Sequence, residues 1–98
     1  MIVVTGSVTA RPETLEAVRR ISLEHVHRSR QEPGCLLHSV HVDVEDPSRF
    51  VFLEHWADRD ALTAHFRVPA SGAFARTLGE LAAQPPVIEI YDAQPVAL

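Results

Sequence analysis

The run CLLHSVHVDVEDPSRFVFLEHW (residues 35–56) decides the fold. Two β-rich stretches, 35–44 and 49–56, flank Glu45-Asp46-Pro47-Ser48, whose residue types favour a turn, so the run is a hairpin. Side chains alternate along a strand, which puts Phe50, Phe52, Glu54 and Trp56 on one face of the second stretch. In the first stretch His38 shares a face with Leu36 and Val40, and the hairpin brings it beside the strand of Glu54. The opposite face is not polar either, since Leu37, Val51 and Leu53 occupy it. A sheet that is apolar on both sides needs two covers, and one layer of helices supplies one.

Outward from the hairpin the remaining elements fall into place. Residues 2–9 are rich in valine, isoleucine and threonine and form a strand, with Gly6 at an expected bulge. Pro12 suits the first turn of a helix that runs to about Gln31, with Leu15, Val18, Ile21 and Val26 on its buried stripe. Glu32-Pro33-Gly34 stops it, because proline cannot continue a helix and glycine takes the turn. After the hairpin, Asp58 N-caps a short helix through Phe66, and Pro69 opens another with Phe74, Leu78 and Leu81 at helical spacing. Pro85-Pro86 ends that helix, and Val87 to Tyr91 form the last strand. The order β-α-β-β-α-β, with a split second helix, is the ferredoxin-like split βαβ arrangement of the α+β class. It gives a four-stranded antiparallel sheet with helices on one face. The uncovered face predicts a homodimer paired sheet to sheet.

Ninety-eight residues correspond to one domain, 1–98, short enough to gain from an oligomer interface. The formal charge of −4 argues against nucleic acid and against an anionic membrane surface, both of which select basic patches. No apolar run approaches the length of a membrane span. All nine basic residues are arginine, so a lysine Schiff base or lysine nucleophile is excluded. Met1-Ile2-Val3-Val4-Thr5 lacks a leader pattern and Cys35 is the one cysteine, so a cytoplasmic protein is expected. No phosphate-binding glycine loop, nucleophile elbow or dinucleotide fingerprint is present.

Histidine carries most of the candidate chemistry, with six in the chain. Ser22, His25 and Ser29 lie inside the apolar stripe of the first helix, and a polar row there suggests a face that borders a cavity. His65 follows Leu62 by three residues and points inward with it. Glu54 stands among aromatics, where a carboxylate needs partners: it pairs with an arginine or histidine, or its pKa rises. His27 falls opposite the helix stripe, and His41 and His55 fall on the outer sheet face. His25-x-His27 and His38-x-x-His41 each split across faces, so spacing predicts no metal site. Cys35 has no neighbouring catalytic partner and is expected to be packing.

Four segments in order, Glu32-Pro33-Gly34-Cys35-Leu36, Asp46-Pro47-Ser48-Arg49-Phe50, Glu54-His55-Trp56-Ala57-Asp58 and Ala61-Leu62-Thr63-Ala64-His65, resemble the antibiotic-biosynthesis-monooxygenase superfamily. The resemblance implies a dimeric α+β barrel with a ligand pocket between helices and sheet. Haem-degrading members are similar in layout but have a tryptophan where this chain has His65 and a histidine where it has Ala75, which disfavours haem. Quinol-oxygenase-like members often keep the histidine at position 65. Their Ser-Pro-His-Phe-like segment reads Val68-Pro69-Ala70-Ser71 here.

Together these readings point to a monooxygenase that needs no cofactor and acts with dioxygen on an electron-rich aromatic, a quinol or anthrone. Such a substrate carries its own reductant, so the protein must supply a dry pocket, a base and donors toward an oxyanion. The expected catalytic residues are His65, His25 and Glu54. Trp56, His38, Phe52, Phe66, Phe74 and Ser22 are expected at the substrate, with Phe50 a further wall residue. Two alternatives use the same pocket: an isomerase or tautomerase of a small oxygenated metabolite, with Arg76 the candidate for a charged substrate, and a non-catalytic small-molecule-binding dimer.

Overall fold

The computed structural model describes residues 1–98. Strand β1 (Ile2–Thr9) leads through a 3-10 turn (Pro12–Thr14) into helix α1 (Leu15–Ser29). The hairpin β2 (Cys35–Asp43) and β3 (Asp46–Trp56) follows, then α2 (Arg59–Arg67), α3 (Pro69–Leu81) and β4 (Val87–Asp92). The sheet order is β2-β3-β1-β4 and every neighbouring pair is antiparallel. This is the ferredoxin-like α+β fold, with the helices on one face.

Period-two burial is clearest in β3, where Phe50, Phe52, Glu54 and Trp56 are buried and the residues between them are half-covered. β1 contributes Ile2, Val4 and Val8 to the same face. The apolar core is in two parts. Val8, Val18, Val26, Phe50, Phe52 and Leu78 belong to one, and Ile2, Val4, Trp56 and Leu62 form the other. Each such side chain contributes about 1.5–3 kcal/mol by leaving water. Along β3 the position between the two parts is Glu54. The break in the core is therefore polar, and the candidate chemistry sits there.

Asp58 caps α2 as its residue type demands, its Oδ1 accepting from the Ala61 amide at 2.8 Å. Pro69 stands at the first turn of α3. Four expectations need correction. Gly6 makes no bulge: it pairs in register with Phe52 and Ile88, and a Cβ there would meet nothing closer than 3.5 Å. The irregularity lies instead in β2 between Cys35 and Leu37, which ejects Leu36 to 60% exposure and leaves it off the face of His38. The hairpin is tighter than its turn residues suggest, since Asp43 pairs with Asp46 and Asp46–Ser48 belong to β3. Asp43 and Asp46 each accept a backbone N–H two residues on, at 2.9 and 3.0 Å, which tightens the chain locally. Finally, α1 is shorter at both ends. Thr14 accepts from the Arg11 amide at 3.0 Å and donates to the Leu81 carbonyl at 2.7 Å, holding the first turn apart as a 3-10 turn.

β4 is exposed along its whole length, and its inner-face residue Ile88 reaches the cavity described below. No helix is long and apolar enough to cross a membrane.

Candidate functional site

Between the inner sheet face and the helices lies a cavity of about 200 Å³. Its wall is mostly apolar, with Phe52 from β3, Phe66 from α2, Phe74 and Leu78 from α3 and Ile88 from β4. Besides the half-buried Ser7, four polar residues interrupt it: His25, Glu54, His65 and Ser71. All four are at least nine-tenths buried. Phe66, at 48% exposure, stands at the rim.

His65 reaches the wall because α2 buries Leu62 and His65 on one stripe, three residues apart. Its Nδ1–H donates to Glu32 Oε1 at 2.8 Å. An ionised carboxylate can only accept, so this bond places a proton on Nδ1, and the neutral ring then has its lone pair on Nε2. Glu32 was not anticipated as a partner. It lies in the turn after α1, 33 residues away in sequence, where periodicity carries no information.

His25 is set the opposite way. Arg28 Nη2 donates to its Nδ1 at 2.7 Å, and guanidinium cannot accept, so the neutral ring carries its proton on Nε2. The ring stacks on Phe74 at 4.0 Å and 6°. Burial above all, then the nearby His38, His65 and Arg28, pushes its pKa down to about 3. The sign is direct: the unfolded chain protonates His25 below about pH 6.5 while the folded chain resists. Stability is therefore lost as pH falls from about 6.5 toward 3. In chelator-treated protein, urea melts at pH 6, 5 and 4 are expected to lose up to about 1.4 kcal/mol per pH unit more in wild type than in His25→Gln. Parallel pH profiles for the two proteins would show that His25 is not held neutral by the fold.

Ser22 and Ser29 share the α1 stripe with His25 but do not line the cavity. Both are fully buried, and the Ser29 hydroxyl donates to the His25 carbonyl at 2.6 Å. Trp56, also fully buried, stands behind the wall and not in it, and its indole N–H donates to Glu54 Oε1 at 2.9 Å. Phe50 likewise belongs to the core. His38 is 1% exposed, with its Nε2 3.4 Å from Glu54 Oε1, an ion-pair distance without hydrogen-bond geometry. Burial works against an ionised Glu54, but His38 and the Trp56 N–H more than offset it and hold the carboxyl below its usual range. The expected carboxylate–histidine pairing is thus present twice, Glu54 with His38 and Glu32 with His65. Arg76 is exposed on α3 and is not part of the cavity wall. His27 and His41 are exposed. Cys35 is half-buried against the Trp56 part of the core.

Spacing along the chain predicts no metal site, yet folding brings three histidines together. His25, His38 and His65 come from α1, β2 and α2, and their ring centroids lie 5.2–5.7 Å apart.

Comparison with known proteins agrees with this architecture. The crystal structure of an antibiotic biosynthesis monooxygenase is similar at 33% identity, with a TM-score of 0.88 over 97% of this chain and 100% of that one. A structure from Deinococcus radiodurans superposes with a TM-score of 0.93 at 27% identity, covering 100% and 97% of the two chains. An uncharacterized protein of Synechocystis is 36% identical over 90 residues, which are 92% of this chain and 61% of the relative. The chain thus spans about three-fifths of the curated relative it matches. The family model for antibiotic biosynthesis monooxygenase matches residues 1–77, which hold three of the four strands, α1, α2 and most of α3, and the chain belongs to that family.

Proposed function

We propose that the protein is a monooxygenase that works without a bound cofactor on a small electron-rich aromatic, a quinol or anthrone, held in the cavity between helices and sheet. The observation that carries this reading is His65: its Nδ1 is committed to Glu32, its Nε2 has no hydrogen-bond partner, and the residue lines a cavity walled by phenylalanines. His65 takes a proton from the substrate and the delocalised anion passes one electron to dioxygen. Recombination of substrate radical and superoxide forms a C–O bond. The peroxide then loses water, and its carbon becomes a carbonyl. One oxygen atom enters the product, the other leaves as water, and the substrate supplies all four electrons. The cavity wall offers no arginine for a phosphate-bearing substrate, which favours this reading over an isomerase of a charged metabolite.

The test is oxygen consumption by chelator-treated protein against a panel of quinols, anthrones and flavonols, with enzyme-free blanks. Uptake above the blank with at least one compound is expected. Uptake equal to autoxidation across the whole panel overturns the reading and leaves isomerisation or simple binding.

The assembly proposed for this function is a homodimer. Val3, Val51 and Leu53 are only half-covered on the outer sheet face, beside the more exposed Leu37 and Tyr91. The helices pack on the other face, and a second copy related by a two-fold axis presents the same apolar surface. Light scattering at micromolar concentration is expected to give twice the chain mass, and Leu53→Glu is expected to give the monomer. A monomeric wild type would remove the dimer.

A further inference from the structure

We propose that His25, His38 and His65 together bind a divalent transition-metal ion of the zinc–copper class. One ring nitrogen from each lies within 4.8 Å of the others, and no ring is more than 5% exposed. A point within about 2.8 Å of all three nitrogens therefore exists, against the ~2.0–2.1 Å of a zinc–imidazole bond. Each ring needs to close by less than an ångström, within the reach of side-chain rotation.

Three features point to a ligand here. His38 is buried with neither ring nitrogen in a hydrogen bond, a costly state for an imidazole, and Glu54 Oε1 at 3.4 Å from Nε2 relieves it through charge alone while Nδ1 has no partner. His65 already has the outer partner typical of a metal-bound histidine, a carboxylate on the far nitrogen. The cavity touches His25 and His65, so an ion held by three protein nitrogens keeps a position open toward small molecules. Glu54, near His38 and on the cavity wall, is a carboxylate within the same group. Imidazole donors select zinc, copper, nickel or iron over magnesium and calcium.

One group opposes the ion. The Arg28 guanidinium adds a positive charge beside His25 and, by donating to Nδ1, fixes the proton of the neutral ring on Nε2. Loading requires that proton to leave and Arg28 to turn away; its side chain is only half-buried. The inference stands apart from the proposed turnover. The Nε2 of His65 cannot hold an ion and accept a proton at once, so the loaded protein is silent in base chemistry.

The experiment is a cobalt(II) titration of tag-free, chelator-stripped protein, read by visible d–d absorption with no substrate present. One cobalt per chain is expected, with bands that zinc displaces. Glu32→Gln is expected to weaken binding about 10–100-fold. Arg28→Gln is expected to tighten it by about tenfold or more, since it removes a positive charge a few ångströms from the ion. This second variant changes a half-exposed side chain and keeps the test valid should His38→Ala fail to fold. In a folded His38→Ala the bands are expected to vanish. Absence of tetrahedral bands in wild type, bands that survive in folded His38→Ala, or an Arg28→Gln affinity no tighter than wild type overturns the site. The readout needs no turnover, so a protein inactive on every aromatic can still bind cobalt, and an active one can fail to.

Discussion

Gly34→Ala is expected to lower the stability of the protein by about 2–5 kcal/mol, with a Tm fall of at least about 8 °C. Two costs add. Gly34 has φ +81, in the left-handed region, where a Cβ costs about 1–2 kcal/mol. That Cβ would also stand 2.5 Å from the Ala61 Cβ, and overpacking of this kind costs about 1–3 kcal/mol. Neither neighbour yields easily. The Gly34 carbonyl accepts from the Ala57 amide at 2.8 Å, tying the turn to the end of β3, and Ala61 is fixed by the Asp58 cap. A cycle separates the terms. Adding Ala61→Gly removes the collision at the cost of about 1 kcal/mol for glycine in a helix, and the backbone strain remains. The double variant is expected to be no less stable than Gly34→Ala yet below wild type. Urea melts of the four proteins decide it, and a Gly34→Ala protein as stable as wild type would remove both costs. The consequence for the site follows from sequence distance. Glu32 is two residues before Gly34, so a displaced turn carries the His65 partner with it.

The sequence exposes the fold wherever a local rule acts alone. Alternation along β3 places Phe50, Phe52, Glu54 and Trp56 on one face, Asp58 caps α2, and Pro69 begins α3, all as the residue types require. It misleads where two rules compete. Gly6 has the freedom to form a bulge, but cross-strand pairing on both sides keeps it regular. The real bulge at Leu36 carries no glycine signal and is visible only through register with β3. His38 turns inward in both readings, although its neighbour Leu36 does not follow it. The site divides the same way. Helical spacing turns His25 and His65 inward, and strand parity does so for Glu54. Which carboxylate meets which histidine depends on chain reversals that spacing does not encode. Trp56 and Ser22 show the converse limit, since facing inward is not the same as lining a cavity.

His65→Ala is expected to reduce oxygen uptake above the blank by about 10²–10⁴-fold, the usual worth of a positioned base. His25 shares the cavity wall and is the natural rival, but the hydrogen bonds separate the two. Arg28 donates to Nδ1 of His25 and puts its proton on Nε2, so His25 offers a donor. Glu32 accepts from Nδ1 of His65 and leaves Nε2 bare, so His65 offers an acceptor. A reaction that begins by removing a proton needs the acceptor. His25→Gln keeps a polar group near Arg28 and is therefore expected to cost less than about tenfold, chiefly through lost stacking on Phe74. Glu32→Gln should fall between the two. It retains a hydrogen-bonding group, loses the charge that stabilises the imidazolium, and lets the amide NH₂ reverse the tautomer of His65. Steady-state oxygen-electrode rates for the three variants, on whichever compound wild type consumes, give the ranking. A His25→Gln defect as deep as that of His65→Ala would move the base to His25 and require Arg28 to leave before turnover. A Glu32→Gln protein with wild-type rate would show that the orientation of His65 is set by packing alone.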